Sequence, residues 1–490
     1  MLPEVNNLIT VLNLQKFLLN EDTTNSFLDY IKTKISYQNV VFFLQLASVY
    51  KQTKLAEQTI AYIERCFPLI VETKSFLELS FTFISKILSR SNLYISSEVE
   101  IFEAASNWIS YDISERSKFA FCLLLKVRLP LLSEYALKYL LTKKSPISEV
   151  SECYTTLKQA LQCREKKLFH HMSSICHESR YCMQKKFNLI LHNNLLNLEL
   201  YNKRKQNKYT LVDGSNFKSI KLLPPNLKFR DYFSAINVNE EIFIFGGQDI
   251  EGKDINSIEK YSFKTNGWSK VADLFDKRVG FSLCAFMKKI LVIGGETEHA
   301  TRRHWYTDTC LEFNTKDYKW KNIAKMNRGR KDVGCTVFEG SVVVAGGLVN
   351  IDENVEGFDQ ITTEIVELYD PYADKWTQMA SLIEDHWDVN LVAIRSKLFA
   401  FKGNEDGFTC EVFDRKCNKF VYIKSPSTSF TPVVHTAAAL GNKIYVISDD
   451  IKYPALCYDI DKGSWTKILF EATKKLEVDF SCLKMPNLKY

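Results

Sequence analysis

The first 213 residues of this 490-residue chain contain no glycine, and all eighteen glycines lie from Gly214 onward. Glycine supplies the positive φ that many tight turns need, and β-hairpins use it heavily. Its absence argues against a sheet of hairpins in the first half. It favours helices that are joined by short polar turns.

The sequence also lacks the marks of a secreted, membrane-spanning or disulfide-rich protein. The uncharged run from Asn39 to Tyr50 is too short to span a bilayer. The first ten residues carry Glu4 and have no basic region of the kind that begins a secretory signal. Thirteen cysteines, an odd number without framework spacing, indicate free thiols in a reducing compartment. We therefore expect a cytoplasmic protein that does not bind membranes.

Most of the net charge of +6 comes from one segment, so it does not indicate a nucleic-acid partner. From Leu141 to Lys208 there are 13 Lys and Arg residues against 5 Glu residues. No aromatic side chains alternate with them as they would on a nucleic-acid-binding face. A solvated, basic helical connector over residues 166–208 is the better interpretation.

Catalytic and metal-binding motifs are absent as well. There is no P-loop, nucleophile elbow, HExxH helix or paired zinc cysteines. One cluster deserves weighing as a zinc or redox site: Cys163, His170, His171, Cys176, His177 and Cys182. Its spacing offers no Cys-x2-4-Cys knuckle, so we predict a connector with incidental cysteines, no cofactor and no enzyme activity.

The positive signal in the first half is helical periodicity. Apolar residues from Val40 to Ser48, and from Leu55 to Cys66, follow one face of a helix. Ser97 followed by Glu100 is a capping-box signature. Further helices are predicted over Phe76–Leu88, Val99–Tyr111, Ser114–Lys126 and Ser133–Leu141. The first half is therefore predicted to be an all-helical array.

The second half carries an internal repeat with fixed spacings. Five pairs of residues end a short apolar strand: Gly246-Gly247, Gly294-Gly295, Gly346-Gly347, Lys402-Gly403 and Ser448-Asp449. Sixteen residues before each pair stand Arg230, Arg278, Arg330, His386 and Pro432. An aromatic residue follows each pair at variable distance, and seven residues later come Trp268, Trp320, Trp376, Phe420 and Trp465. Two fixed hairpins and one variable loop predict a four-stranded blade, with Trp376 buried between blades.

Five complete blades and two partial ones predict a six-bladed β-propeller. Residues Tyr209–Asp213 with Asn216 and Phe217 are expected to form the third and fourth strands of the closing blade. Val478–Lys484 is expected to form its first strand. The double glycine of the closing blade would fall beyond Tyr490, so we expect the second strand of this blade to be short or missing and the blade to be incomplete.

This repeat resembles the Kelch motif over residues 209–490. Upstream, Ala104–Ile109 and Val127–Ser133 resemble the BACK domain, which precedes Kelch repeats, and we assign residues 66–165 to it. Phe27–Thr33 and Asn39–Ile63 resemble the last third of a BTB domain, so residues 1–65 are expected to be its remnant. With the rest of that domain missing, homodimerisation is doubtful.

The resemblance implies a substrate-recognition adaptor of a cullin ubiquitin ligase, in which the helical half contacts the cullin. Candidate contacts are Phe67, Leu69, Phe76, Leu77 and Leu79, with plain helix core as the alternative for each. Actin binding or scaffolding without a ligase is the alternative function, because some Kelch proteins bind actin. Copper-oxidase chemistry is disfavoured, because the histidines of the second half stand in dissimilar blade positions.

The repeated arginines suggest where a substrate protein would bind. The positions sixteen residues before each double glycine are expected to gather at one mouth of the central channel. The candidate residues there are Arg230, Arg278, Arg328, Arg330, His386 and His435. Such a cationic rim would suit an acidic degron. The alternative is that each arginine pairs with an Asp or Glu of a neighbouring blade.

Overall fold

The computed structural model describes residues 35–49, 51–165, 188–193, 208–213, 219–223, 230, 233–238, 241–249, 251–262, 265–297, 305–350, 361–394, 397–404, 407–425, 434–440, 443–448, 455–468 and 483–485. The predicted BTB segment before residue 35 and most of the cysteine and histidine cluster lie outside these residues.

The first half is helical, as predicted. Its α-helices are Val40–Val49, Thr53–Ile70, Lys74–Leu77, Phe81–Leu88, Glu98–Ser110, Ile113–Arg116, Ala120–Leu124, Glu134–Thr142 and Ser151–Glu165, with 3₁₀ turns at Ser117–Phe119 and Leu129–Leu131. The single helix predicted over Phe76–Leu88 is wrong. The chain leaves the helix at Leu79 and Ser80, and Ser80 adopts an extended conformation that starts a second helix.

The helix Glu98–Ser110 lies at the centre of this half. Ser97 and Glu100 form the predicted capping box at its first turn, which satisfies backbone N–H groups that have no partner inside the helix. Trp108 is buried and donates its indole N–H to the Leu79 carbonyl at 2.8 Å. The Arg116 guanidinium covers the Trp108 ring at 4.2 Å. These contacts confirm Trp108 as a core residue.

The second half forms four-stranded antiparallel sheets, which we number as blades in chain order. Blade 1 contains Ser234–Val238, Glu241–Phe245, Ser257–Ser262 and Gly267–Asp273. Blade 2 contains Ser282–Phe286, Lys289–Ile293, Cys310–Asn314 and Trp320–Ile323. Blade 3 contains Gly334–Phe338, Ser341–Ala345, Val366–Asp370 and Lys375–Gln378. Blade 4 contains Asn390–Ile394, Lys397–Asn404, Gly407–Asp414 and Lys419–Tyr422. Blade 5 contains Val434–Leu440, Lys443–Ser448, Ala455–Asp459 and Ser464–Ile468.

Two small sheets each combine a strand just before the first strand of blade 2 or 3 with two strands from the loop between the second and third strands of that blade. The first contains Arg278–Val279, Glu296–Thr297 and Trp305–Tyr306, and the second contains Arg330–Lys331, Leu348–Val349 and Ile361–Thr362. Both lie at the end of the blade where the double glycine stands.

The closing blade has all four strands, so the expectation of an incomplete blade is wrong. From inside to outside its strands are Leu483–Met485, Asn188–Asn193, Lys208–Asp213 and Ser219–Leu223. The second strand comes from the segment that we expected to be a helical connector. The short apolar run Leu189–Leu191 pairs with Lys208–Asp213 on one side, and its residues Leu189 and Ile190 also pair with Leu483–Met485 on the other. Joining strands from both ends of a repeat array removes an open sheet edge.

Tryptophans of the fourth strands link neighbouring blades, as the spacing predicted. Trp376 is only 5% exposed, and it packs among residues of blades 2 and 3. Its indole N–H donates to the Ala324 carbonyl, in the connection after blade 2, at 2.8 Å. Trp320 donates to the carbonyl of Asp273, the last residue of blade 1, at 3.0 Å, and Trp465 donates to the Lys424 carbonyl, just after blade 4, at 2.8 Å.

Candidate functional site

The repeated arginines are buried inside their own blades. In blade 1, Arg230 donates to the Gly246 and Ser257 carbonyls, both at 2.9 Å, and pairs with Glu259. The side chains of Arg230 and Glu259 are 0% and 2% exposed. The guanidinium thus binds carbonyls where the ladder between the second and third strands ends, and backbone acceptors at such a point need partners.

Blade 3 repeats this arrangement. Arg330 donates to the Gly346 carbonyl at 3.1 Å and to the Ile365 carbonyl at 2.9 Å, and it pairs with Glu367. Glu367 also accepts the Asn327 backbone N–H at 3.0 Å. Burial lowers the pKa of Arg330, and the Glu367 carboxylate opposes that shift.

Blade 2 keeps the arginine and changes the acid. Arg278 donates to the Gly294 and Thr309 carbonyls at 3.1 and 3.3 Å. Leu311 stands where blades 1 and 3 have glutamate, two residues before the aromatic. Asp276, just ahead of Arg278 in the chain, supplies the carboxylate instead.

Blade 4 moves the cation to another position. Lys402 replaces the first glycine, is 1% exposed, and pairs with Glu411. Its ammonium also donates to the Glu384 carbonyl at 2.8 Å. Glu411 accepts the Ile383 backbone N–H at 2.9 Å, which matches the bond from Asn327 to Glu367 in blade 3. His386 stands at the position of the arginine in this blade, but Lys402 is the cation that pairs with the glutamate.

These contacts correct the predicted cationic rim. Arg230, Arg278 and Arg330 are at most 2% exposed, so a partner protein cannot reach them. The alternative interpretation is right that each arginine pairs with an acid, but the acid lies in the arginine's own blade or just ahead of it in the chain, and not in a neighbouring blade.

The remaining rim candidates differ in their placement. Arg328 is exposed and donates to the Asn350 carbonyl at 2.9 Å. His386 is half-buried, and burial lowers the pKa of its imidazole. His435 lies in the inner strand Val434–Leu440 of blade 5. Substrate binding by these three residues stays a prediction.

The mouth of the channel carries two aspartates. The Asp332 N–H donates to the Gly280 carbonyl at 2.8 Å, and the Asp388 N–H donates to the Asp332 carbonyl at 3.0 Å. All three residues have a positive φ. The surrounding protein and the neighbouring Asp332 raise the pKa of Asp388 to about 7. The described part of the mouth therefore has acidic side chains where cationic ones were expected.

The helical half is docked on the other end of blades 2 and 3. The Met287 N–H donates to the Ser96 hydroxyl at 2.9 Å, and Glu72 accepts from Lys288 and Lys316 at 2.5 and 2.7 Å. Met287, Lys288 and Lys316 lie in turns that join the first to the second strand and the third to the fourth.

Blade 3 contributes the equivalent turns. The Tyr372 ring lies 5.3 Å from the Tyr139 ring, and its hydroxyl lies 3.5 Å from the Ser97 hydroxyl. Gly340, with a φ of +78°, stands so close that an added Cβ would lie 3.1 Å from the Ser97 oxygen. Antiparallel strands put the loops after the double glycines at the opposite end of each blade. That opposite face, which we call the distal face, is turned away from the helical half.

Three of the five cullin-contact candidates are core residues. Phe67, Phe76 and Leu79 are all 0% exposed and belong to the helical core, so their assignment as contacts is wrong. Leu69 and Leu77 are partly exposed and remain predictions. Alternation of apolar residues identifies a buried helix face but does not tell it from a partner-binding face.

The described residues hold no group of three or more His, Cys, Asp or Glu that could bind a metal ion. Of the cysteine and histidine cluster they include Cys163, a half-buried free thiol. None of the described cysteines forms a disulfide. No helix among residues 40–165 is both long and apolar enough to cross a membrane.

Comparison with known families agrees with both halves. Residues 40–142 match the family "BACK: BTB And C-terminal Kelch", and residues 230–274 match the Kelch motif. The BACK match begins at Val40, within the stretch that we assigned to a BTB remnant.

Curated relatives match over most of the chain. The chain is 24% identical to Kelch-like protein 25 of Xenopus tropicalis, over 92% of this chain and 70% of that protein. It is 22% identical to mouse Kelch repeat and BTB domain-containing protein 3, over 90% of this chain and 72% of that protein. Human Kelch-like protein 28 is 23% identical over 65% of this chain and 47% of its own length. With its helical BACK half and its propeller, the chain is similar to the Kelch-like family of BTB–BACK–Kelch proteins.

Sequence reasoning missed the acids that bind the buried cations. Glu259, Glu367 and Glu411 each stand two residues before the aromatic of the third strand. The signal was in the repeat, because blade 4 keeps the glutamate, loses the arginine and gains Lys402 at a glycine position. The cation changes its position in the repeat while the glutamate keeps its own, and this indicates that the two form an internal ion pair.

Proposed function

We propose that the chain is a non-catalytic substrate-recognition adaptor of a cullin ubiquitin ligase. The helical half would bind the cullin, and the distal face of the propeller would bind the substrate protein. The cullin partner and the adaptor role come from the resemblance to the BTB–BACK–Kelch family. Non-catalytic action and a cytoplasmic location are parts of the same proposal.

The observation that carries this proposal is the docking of the propeller on the helices. Turns of two adjacent blades contact the helical half through hydrogen bonds, ion pairs and a ring contact. Such a joint would hold the distal face in a fixed direction relative to a scaffold. An adaptor needs that geometry, because ubiquitin transfer requires the substrate to be positioned.

Cullin capture tests the proposal. We would replace the partly exposed Leu69 and Leu77 by alanine, and use Leu125→Ala as the matched control, since Leu125 is a 61% exposed leucine of the same half. A minority of interface side chains cost more than ~1 kcal/mol each when truncated, and these cluster at the centre of the interface, where the proposal puts Leu69 and Leu77. The double variant should therefore capture purified cullin at least about tenfold more weakly, while the control binds like the unchanged chain.

Two results would contradict the adaptor role. One is failure of the unchanged, folded chain to bind any cullin offered. The other is cosedimentation with actin filaments in the absence of cullin binding, which would support the alternative function. Thermal melting of each variant checks that a loss of binding is not a loss of folding.

A further inference from the structure

Large apolar side chains are exposed together where the chain passes from blade 3 to blade 4. Ile383 is 43% exposed, Trp387 is 50% exposed, and Tyr422 at the outer edge of blade 4 is 52% exposed. Exposed apolar side chains are ordinary when scattered, but a group of them on one surface marks an interaction site. Ile383 and Trp387 lie in a connection at the distal face.

Hydrogen bonds hold this connection in one conformation. The Tyr422 hydroxyl donates to the Glu384 carboxylate, and the Thr362 hydroxyl donates to the Asp385 carboxylate. The Ile383 N–H is bound by Glu411, and the Glu384 carbonyl is bound by Lys402. The His386 ring stacks on Trp387, with the ring planes 10° apart. A surface ordered in advance loses less entropy on binding.

Carboxylates surround the exposed rings. Glu384, Asp385 and Asp388 are all exposed, and Asp332 follows across a backbone hydrogen bond. We call this surface the acidic rim: Ile383, Glu384, Asp385, Trp387, Asp388 and Tyr422.

The cations near the acidic rim are engaged elsewhere. Lys402 is buried and pairs with Glu411. Lys331 pairs with Glu296 and lies over the Tyr306 ring. Among the described residues, Glu384 and Asp385 therefore give the rim a negative charge that it does not neutralise itself, and Asp388, with its pKa raised to about 7, adds to that charge as the pH rises.

The neighbouring connections have a different character. Between blades 2 and 3, Lys325 and Arg328 are exposed. Between blades 1 and 2, Phe275 is 62% exposed, while Asp276 is bound to the buried Arg278. The combination of exposed rings and exposed acids is found, within the described connections, where blade 4 begins.

We propose that the acidic rim binds a basic segment of the recognised protein, one that carries arginine or lysine next to apolar residues. Cations stack on the faces of Trp and Tyr rings, and carboxylates bind guanidinium groups with paired hydrogen bonds. Ile383 offers an apolar contact for a side chain next to the cation. The inference rests on the proposed function, and it replaces the acidic partner that the sequence suggested.

Peptide binding to the full-length chain tests the proposal. The probe is a dye-labelled peptide with arginine and leucine spaced by glycine and serine, measured by fluorescence anisotropy. Two comparison peptides replace arginine by glutamate, or leucine by serine. We expect the arginine–leucine peptide to bind at least about tenfold more tightly than either one, and to bind more weakly as salt is raised.

Two sets of variants locate the binding. Trp387→Ala removes the stacking surface, with Phe275→Ala as the matched exposed aromatic. Glu384→Gln with Asp385→Asn removes charge and keeps shape, since glutamine can still accept from Tyr422 and asparagine can still accept from Thr362. Glu251→Gln, at an exposed acid of a blade 1 loop, is the charge control. Each rim variant should weaken binding at least about tenfold, and the controls should change it less than about twofold.

Equal binding of the arginine and glutamate peptides would overturn the proposal, as would full binding by the charge-neutral double variant. If Trp387→Ala unfolds the chain, peptide binding by the charge-neutral double variant still tests the proposal. Cullin capture is measured separately. Peptide binding without cullin capture would overturn the ligase role alone, and cullin capture without peptide binding would overturn the acidic rim alone.

Discussion

At the scale of single residues, the arginines of the repeat stabilise blades. Each one is a buried cation with backbone acceptors and a carboxylate, and removing one member of a buried pair leaves an uncompensated charge. An exposed arginine two residues away from one of them, Arg328, lacks that environment. Substituting Arg330 and Arg328 in turn therefore compares the stability contributed by a buried arginine with that of an exposed one.

We expect Arg330→Ala to destabilise the fold strongly, by ~3–5 kcal/mol, because Glu367 is left buried and charged. Arg328→Ala should change stability by less than about 0.5 kcal/mol, as exposed substitutions usually do. Urea denaturation of both variants measures the difference. Equal midpoints for the two variants would show that the buried pair does not stabilise the blade.

The spacing of the repeat predicts the positions of these arginines but not the direction of their side chains. The sixteen-residue offset located Arg230, Arg278 and Arg330, because strand and turn lengths are fixed within a blade. It did not tell whether the side chains turn inward, since that depends on Glu259 and Glu367 across the blade. The acids are present in the sequence, but a loop of variable length separates them from the arginines, so no fixed spacing links an arginine to its acid.

At the scale of elements, the fourth-strand tryptophans of blades 2, 3 and 5 join each of these blades to the one before it. Trp376 combines burial with a hydrogen bond across the blade boundary. Blade 4 has Phe420 at this place, 3% exposed and without a donor on its ring. The spacing of seven residues from the aromatic predicted both placements.

Replacing Trp376 by alanine should cost ~3–5 kcal/mol, as truncation of a large buried aromatic usually does. Trp376→Phe keeps most of the ring and loses the donor, so it should cost less, nearer ~1 kcal/mol for the hydrogen bond. The melting temperature should therefore fall further for Trp376→Ala than for Trp376→Phe. A melting temperature unchanged by Trp376→Ala would contradict the packing of blade 3 against blade 2.

Elements that break the repeat were harder to predict. The closing blade takes Asn188–Asn193 from a segment without a double glycine or a spaced aromatic, so no offset marked it. The same holds for the interrupted helix between Lys74 and Leu88, where the extended Ser80 outweighs a continuous apolar stripe. Pairing partners and local breaks depend on tertiary contacts that no periodicity records.

At the scale of the whole molecule, the joint between helices and propeller contains a carboxyl group with an unusually high pKa. Burial raises the pKa of Glu100 to about 7, against two backbone N–H donors at Ser96 and Ser97. Lys288 of the propeller and Glu103 of the same helix also act on it, the first lowering and the second raising the pKa. Tyr372 approaches the same helix terminus.

This predicts a pH dependence with a definite sign. The folded state holds a proton on Glu100 that the unfolded state releases, so the contribution of Glu100 to stability falls as the pH rises from about 4.5 to about 7. Glu100→Gln keeps an acceptor for the helix cap and does not titrate. The free energy of unfolding of the unchanged chain minus that of the variant should therefore decrease over this range. A difference that is flat with pH would contradict a buried, protonated carboxyl at the joint.

The central claim is that the two faces of the molecule serve two partners. Hydrogen exchange of the full chain with and without a bound cullin tests this most directly, because it reports both faces in one measurement. We predict added protection in the helical half around Leu69 and Leu77, and unchanged exchange in the connection from Ile383 to Asp388. Protection of that connection by the cullin, with none among the helices, would contradict the account.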